Sequence, residues 1–198
     1  MSMRKGWFRI AGVQDGDRDL ADQLRGLKPA LAAAQGKSVL DLGCAEGLIA
    51  REFVNAGARS VFGVEIIAEH VEAAMALCRG LPCEFVAADV MNWIAELEHR
   101  HGGAPRQFDV VLALAIYHKV KDPARLVRFS ADAARELLVV RLPGGGTADG
   151  VYSHARPGNE RVEVAKICAG RGLTLERVER GPDVGAGLEL VLYFRRRG

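Results

Sequence analysis

An apolar segment that passes through an acid into a glycine-bracketed turn constrains this chain more than any other feature. Residues 38–47 read SVLDLGCAEG, with Asp41 inside the apolar run and Gly43 and Gly47 on either side of the turn. Glycine lacks a Cβ atom, so it adopts positive φ and lets a ligand approach the backbone. The first amides of a following helix face the same cleft. The pattern predicts a strand, a tight turn and a helix that cradle a nucleotide-like ligand, although a plain strand-to-helix connection also favours glycine.

Two further acids follow at equal intervals. Glu65 lies 24 residues after Asp41, and Asp89 lies 24 residues after Glu65. This interval is about what one strand, one loop and one helix occupy in a parallel βαβ unit. Each strand would therefore bring its acid to the same edge of the sheet. An acid after the second strand is well placed to bind ribose hydroxyls, and Asp89, one strand further, is within reach of an adenine amino group.

These motifs resemble those of the class I S-adenosylmethionine-dependent methyltransferases. Residues 41–47 are similar to the family's first motif, Glu65 to its ribose-binding acid, Asp89 to its adenine-side acid and residues 108–114 to its fourth-strand motif. Ala45 departs from the pattern, since the family often has a glycine there. The resemblance implies an α/β fold: a Rossmann-like seven-stranded methyltransferase sheet, mostly parallel with an antiparallel last strand, and helices on both faces.

The same resemblance implies S-adenosyl-L-methionine as the cofactor. The predicted cofactor-binding residues are Asp41, Gly43, Cys44, Ala45, Gly47, Glu65, Ile66, Asp89, Val90 and Ala113. A nicotinamide-binding Rossmann domain is the nearest competitor, but its Gly-x-Gly-x-x-Gly fingerprint is absent from the turn. Residues 173–178 and 188–194 read as two strands of a hairpin, which is the methyltransferase ending.

Length and charge bound the remaining possibilities. A chain of 198 residues that is 49% hydrophobic suits one domain over residues 1–198, with an N-terminal segment and helix over 1–36 and the core over 37–198. The net charge of +2 and the pI of about 8.4 fall short of a dedicated nucleic-acid domain. The sequence lacks an apolar run near 18 residues and a signal-peptide pattern, so we expect a cytoplasmic protein without a membrane partner.

The four cysteines lack paired Cys-x-x-Cys spacing, so the sequence predicts neither a zinc site nor a disulfide framework. No metal is therefore expected. Cys44 lies inside the predicted cofactor turn, and we expect it to contact the cofactor rather than act as a nucleophile.

The sequence Tyr117-His118-Lys119 follows the predicted fourth strand. By resemblance, the end of that strand lines the pocket where the methyl group meets its acceptor. His118 is the candidate general base, because a side chain with a pKa near neutrality removes a proton best; the alternative is an orienting or capping role. Tyr117 is a second catalytic candidate that would line the donor side or contact the acceptor. His154 is a weaker candidate for the acceptor side.

Three functions remain open from the sequence. The first is a methyltransferase acting at oxygen or nitrogen of a small or medium-sized acceptor. The second is an RNA modifier, since residues 115–123 faintly resemble a region of transferases acting on the tRNA wobble uridine. The third is an S-adenosylmethionine-binding protein without catalysis. The sequence does not predict the acceptor's identity or the oligomeric state.

The N-terminal segment is predicted to cover the active site. Residues 1–16 include Trp7, Phe8, Ile10 and Val13, which is a large apolar content for a solvated tail; a strap pinned elsewhere on the surface is the alternative. Residues 10–16 read as a loop. From Asp17, leucines at helical spacing predict a helix that Pro29 kinks or divides.

Overall fold

The computed structural model describes residues 4–10, 14–100, 106–143, 159–183 and 187–197. The strands within these ranges are β1 (Arg4–Phe8), β2 (Gln14–Arg18), β3 (Ser38–Leu42), β4 (Ser60–Glu65), β5 (Cys83–Ala87), β6 (Phe108–Leu114), β7 (Ala134–Leu142), β8 (Leu173–Asp183) and β9 (Leu188–Arg196). The helices are α1 (Leu20–Gln23), α2 (Lys28–Ala33), α3 (Leu48–Asn55), α4 (Ala68–Leu77), α5 (Val90–Arg100), α6 (Pro123–Ala133) and α7 (Glu160–Ala169). A single 3₁₀ turn, Tyr117–Lys119, follows β6.

The main sheet has seven strands in the order β5-β4-β3-β6-β7-β9-β8. The first five strands of that order pair in parallel, whereas β9 runs antiparallel to both β7 and β8. This arrangement confirms the predicted Rossmann-like sheet, including its antiparallel last strand and closing hairpin. Because the parallel strands share a direction, β3, β4, β5, β6 and β7 all end at the same edge of the sheet.

Helices cover the sheet on both faces, as predicted. One face packs against α5, α6 and α7, which contribute Ile94, Leu126 and Val164 to its core. The other face packs against α2 and α3 through Ala30 and Phe53. The central strand β6 is buried along its whole length, which explains its continuous apolar sequence. No helix in the described ranges has the length and apolar character needed to cross a membrane.

The N-terminal segment differs from the prediction. Residues 14–18 form β2, which pairs in parallel with β1, where the sequence predicted a loop and the start of a helix. Backbone pairing and a bond from Gln14 Nε2 to the carbonyl oxygen of Phe8 (2.8 Å) hold this polar strand, so it needs no apolar alternation. The predicted helix divides into α1 and α2. Pro29 lies in the first turn of α2, where its missing N–H costs no hydrogen bond.

The turn between β3 and α3 requires glycine at its last position. Gly47 has a φ of 74° and is the residue that precedes the first turn of α3. A Cβ atom placed on it would lie 2.8 Å from the Cβ of Ala74 on α4. Both the left-handed backbone and the close approach of α4 therefore exclude a larger side chain.

We predict that Gly47→Ala lowers the free energy of unfolding more than Gly80→Ala does. Gly80 has a similar φ of 80°, but no atom lies within 4 Å of the position that a methyl group would occupy there, so it is a matched control. Alanine in this backbone region costs about 1–2 kcal/mol at either site. The overlap with α4 adds about 1–3 kcal/mol at Gly47 alone. Denaturant unfolding measures the difference, and equal losses for the two variants would contradict the packing role of Gly47.

Candidate functional site

A cavity of about 550 Å³ opens at the edge where the parallel strands end. Its wall combines the β3–α3 turn, the ends of β4, β6 and β7, the residues after β5, and parts of β1 and α1. The chain runs outward in opposite directions from β3, through β4 on one side and β6 on the other. Such a switch point is where open α/β sheets bind ligands. The volume lies within the range of about 300–1,000 Å³ typical of small-molecule sites.

The turn after β3 forms one wall of this cavity. Gly43 has a φ of 81° and Ala45 a φ of 47°. The amides of Gly43 and Cys44 both donate to the carbonyl oxygen of Val64, at 2.8 and 3.1 Å, which fixes the turn against β4. Among the described residues, the non-glycine residues with positive φ are Ala45 and Ala115, and both line the cavity. Such strained backbone is concentrated at functional sites.

Glu65 lies at the end of β4 with its carboxylate already oriented. One oxygen, Oε2, accepts a hydrogen bond from the amide of Ala45 (3.0 Å), and the other accepts one from the amide of Ile67 (3.0 Å). The side chain is buried but lines the cavity. Each carboxylate oxygen has further acceptor capacity, so Glu65 can still bind hydroxyl groups of a ligand.

Asp41 is a buried acid on the cavity wall. Its Oδ2 is fully buried and has no hydrogen-bond partner among the described residues. Burial raises the pKa of the Asp41 carboxyl to about 7; the charge of Glu65 adds to the rise, and the charge of Arg141 opposes it. An unpartnered buried acid of this kind fits a cationic ligand group, which would compensate its desolvation.

Eight of the ten predicted cofactor-binding residues line the cavity. They are Asp41, Gly43, Cys44 and Ala45 around the turn, with Glu65, Ile66, Asp89 and Val90 at the next two strand ends. Asp89 is further held by its Oδ1, which accepts from the amide of Asn92 (2.9 Å) at the start of α5. Gly47 and Ala113 do not line the cavity: Gly47 packs against α4, and Ala113 is buried within β6.

The two predicted catalytic residues also lie outside the cavity lining. Tyr117 is buried, and its hydroxyl donates to Glu163 Oε2 (3.3 Å) on α7. Burial lowers the pKa of His118 to about 4, with the charge of Lys119 acting in the same direction. A neutral imidazole of such low basicity is a poor proton acceptor near neutral pH. The catalytic assignments of Tyr117 and His118 stay predictions, and His154 lies outside the described residues.

We call residues 4–10 and 14–18 the cap; they contain the strands β1 and β2. Glu46, in the β3–α3 turn, is fully buried and binds the cap from below. Its carboxylate accepts hydrogen bonds from the amides of Trp7 (2.6 Å) and Phe8 (3.3 Å) and from Gln14 Nε2 (2.8 Å). His70 Nε2 lies 3.4 Å from the same carboxylate. Trp7 and Phe8 line the cavity, so the turn positions them directly.

Several polar residues of the cavity had no predicted ligand-binding role. Arg141, Gln23, Lys119 and His70 all line the cavity. Arg141 had a usable signal, because a charged residue near the end of the apolar run Leu137–Val140 stands out in a strand covered on both faces. Gln23 had none, because its hydrogen bond to Arg141 joins positions 118 residues apart.

A comparison with known families settles the chain's relationship. The model of a methyltransferase domain family matches residues 39–138, half of the chain. The chain belongs to this family. The matched segment contains Asp41, Glu65 and Asp89, the three acids on which the resemblance to the class I S-adenosylmethionine-dependent methyltransferases rested, and that resemblance is confirmed.

Curated and solved relatives agree with this membership. A ubiquinone biosynthesis O-methyltransferase of Proteus mirabilis is 31% identical over 112 residues, which are 56% of this chain and 40% of that protein. The chain thus covers less than half the length of this relative.

Two solved structures share the fold. The magnesium protoporphyrin IX methyltransferase of Synechocystis PCC 6803 with bound SAH has a TM-score of 0.66 at 19% identity, covering 85% of this chain and 78% of that one. The 1,6-didemethyltoxoflavin-N1-methyltransferase of Burkholderia thailandensis, bound to 1,6-didemethyltoxoflavin and S-adenosylhomocysteine, has a TM-score of 0.63 at 21% identity, covering 87% and 78%. Identities at this level show a common fold.

Asp41 generates a pH prediction. Its folded pKa of about 7 lies above the ordinary value of 3.8, so the folded state holds a proton that the unfolded state releases. The associated stability is complete below pH 4 and is lost as the pH rises to 7. We expect Asp41→Asn to remove this loss, so that the variant gains roughly 3–4 kcal/mol on the parent across that interval. Denaturant unfolding at several pH values measures the gap.

Asp109→Asn is the matched control with the opposite sign. Burial acts to raise the pKa of Asp109, but two hydrogen bonds from Ser38 and the charges of Arg59 and Arg135 outweigh it and lower the pKa. Its stabilisation is present above the unfolded pKa and is lost as the pH falls. If the difference in free energy of unfolding between the parent and Asp41→Asn does not change between pH 4 and 7, Asp41 is ionised throughout and the prediction is wrong.

Proposed function

We propose that this chain binds S-adenosylmethionine and transfers its methyl group to an oxygen or nitrogen atom of a small acceptor. One observation carries the proposal: a single cavity combines the turn at Gly43 with its strained residue Ala45, the oriented carboxylate of Glu65, and Asp89 one strand further. The curated O-methyltransferase relative and the small-molecule methyltransferases of the same fold support it.

The residues on the cavity wall fit this cofactor. S-adenosylmethionine carries positive charge on its sulfonium and ammonium groups, and the unpartnered Oδ2 of Asp41 is a suitable counter-charge. Glu65 retains acceptor capacity for the ribose hydroxyls. The open backbone at Gly43 allows the ligand to approach the turn, since glycine presents no side chain there.

When bound, the cofactor supplies an electrophilic methyl group, and transfer requires chiefly alignment and exclusion of water. Trp7 and Phe8 close the cavity on the cap side and would exclude water from it. For an acceptor hydroxyl or protonated amine, a proton must also leave. His118 was the predicted base, but Lys119 is the residue of this segment that reaches the cavity, so we assign the acceptor side to Lys119 and its neighbours.

The alternatives have less support. An RNA modifier would need a basic, open surface, whereas the net charge is only +2 and aromatic side chains form part of the cavity wall. A protein that only binds the cofactor would need a blocked acceptor space, whereas the cavity extends to Leu114, Ala115 and Val120 at and after the end of β6. A cytoplasmic location remains part of this proposal.

The first prediction from this function concerns Glu65. Glu65→Gln keeps the size of the side chain but removes the charge that would bind the ribose hydroxyls. We expect the dissociation constant of S-adenosylhomocysteine to rise by about 10- to 150-fold, the range for losing a hydrogen bond to a charged group. Titration calorimetry measures it, with NAD as a ligand that should not bind the parent.

Glu69→Gln is the control for the Glu65 variant, because Glu69 is an exposed acid at the start of α4. It should leave the affinity nearly unchanged. Equal affinities of the parent and Glu65→Gln would overturn the ribose assignment, and tight binding of NAD would overturn the cofactor itself.

The second prediction concerns the cap, which we propose acts as a lid. Glu46→Gln replaces one of the two acceptor oxygens that hold Trp7, Phe8 and Gln14, so the cap should open more often. We expect S-adenosylhomocysteine to dissociate faster, by about tenfold for each 1.4 kcal/mol by which the variant weakens cap closure. Stopped-flow displacement measures the rate.

Deletion of residues 1–14 is the companion experiment. A lid predicts lower ligand affinity without a comparable loss of stability in the ligand-free protein. Lower stability with unchanged affinity and unchanged dissociation would instead make the cap a strap that holds the fold together.

A further inference from the structure

Charged side chains of both signs line the cavity wall. The acids Asp41, Glu65 and Asp89 surround the space assigned to the cofactor. The cationic side chains Arg141 and Lys119 lie at the ends of β7 and of the 3₁₀ turn after β6. Once the acids are engaged by a cationic cofactor, the remaining wall presents positive charge to whatever binds beside it.

Arg141 has hydrogen-bond donors to spare. It is fully buried, its Nη1 donates to Gln23 Oε1 (2.8 Å), and its Nη2 donates to the backbone oxygen of Gln23. Its Nε has no hydrogen-bond partner among the described residues. A guanidinium group has five N–H donors in a planar fork that matches a carboxylate. Within the described ranges, Gln23 accepts only one N–H from each of the two Nη atoms, so the second N–H of each is left to pair with a ligand that accepts.

Glu189 balances the charge of Arg141 without using those donors. Its Oε2 lies 3.6 Å from Arg141 Nε, close enough for an ion pair but too far for a good hydrogen bond. Glu189 lies outside the cavity lining, so it supports the guanidinium from behind. Burial raises the pKa of Glu189, against the charges of Arg141, Arg18 and Lys119. The pair offsets the cost of burying Arg141 and leaves the guanidinium able to bind an anion.

Lys119 and an aromatic ring also line the cavity. Lys119 Nζ lies 4.1 Å from the centre of the Trp7 ring, and the guanidinium carbon of Arg18 lies 5.3 Å from the same centre. The bond from the Trp7 amide to Glu46 fixes the backbone that carries the ring. The Trp7 ring thus lies beside two cationic groups and lines the same cavity as the buried guanidinium of Arg141.

From this arrangement we infer that the methyl acceptor carries a carboxylate, which Arg141 and Lys119 bind while its apolar body packs against Trp7. The inference rests on the proposed methyltransferase function, because it assigns Asp41, Glu65 and Asp89 to the cofactor. It adds a chemical class of substrate and two residues that select it.

Binding of matched acid and amide probes tests the inference without requiring turnover. The protein is saturated with S-adenosylhomocysteine and titrated calorimetrically with benzoate and benzamide, phenylacetate and phenylacetamide, and indoleacetate and indoleacetamide. Each pair differs in charge and hardly in shape. We expect at least one acid to bind about tenfold or more tightly than its amide, the scale of a charge-assisted hydrogen bond. No preference for the acid in any pair overturns the inference.

Variants locate the bound carboxylate. Lys119→Met should weaken the preferred acid by about tenfold and leave its amide unchanged, whereas Lys121→Met, an exposed lysine outside the cavity, should change neither. Arg141→Gln should abolish the acid preference. The single variant leaves Glu189 buried and unpaired, which could prevent folding. The double variant Arg141→Gln, Glu189→Gln removes both charges and replaces the single variant in that case. An acid preference that survives both the Lys119 and the double variant overturns the inference.

The carboxylate that Arg141 binds could instead belong to the cofactor. S-adenosylhomocysteine has this group and methylthioadenosine lacks it. If the double variant binds S-adenosylhomocysteine much more weakly but methylthioadenosine as tightly as the parent, Arg141 binds the cofactor and the inference is overturned. If acids bind as expected but no acceptor is methylated, the carboxylate site stands and the proposed methyltransferase activity fails.

Discussion

The turn after β3 determines the geometry of the whole site. Its first residues are bound to the end of β4, and its amide at Ala45 orients the carboxylate of Glu65. Its last residues face the other way: Glu46 holds the cap through three hydrogen bonds, and Gly47 lets α4 approach. Since packed elements have few alternative arrangements, a displacement of β4, the cap or α4 would move the surface that receives the cofactor.

Buried charge is the cost that this site imposes on the fold. Asp41 has an unpartnered oxygen, and Arg141 and Glu189 form an ion pair too long for a good hydrogen bond. Buried pairs of this kind contribute little net stability, and apolar residues of similar volume would often serve the fold better. Their retention at the cavity wall is understandable if ligands complete their interactions, because the site then gains binding free energy from groups that weaken the empty protein.

The sequence was sufficient to predict the core and the three acids of the cavity, because those features rest on local signals. Gly43, the apolar strands and the equal spacing of acids each follow from residues close together in the chain. The strand β2 escaped prediction, since backbone pairing rather than side-chain alternation holds it. Gln23 escaped because only the fold brings it into contact with Arg141, 118 residues away. Arg141 was missed although its charge stands out near the end of an apolar run. Glu46 escaped because nothing in the turn motif shows that a cap lies above it.

The segment that matches the family model supplies only part of the cavity wall. Residues 39–138 supply the turn, the three acids and Lys119, whereas Trp7, Gln23 and Arg141 lie outside the matched segment. A shared core that binds the cofactor, flanked by segments that shape part of the acceptor space, allows the acceptor to change while the donor stays the same. Glu46 links the two parts, since it belongs to the core turn and binds the cap. If cap closure raises the affinity for the cofactor by some factor, cofactor binding raises the equilibrium constant for cap closure by the same factor.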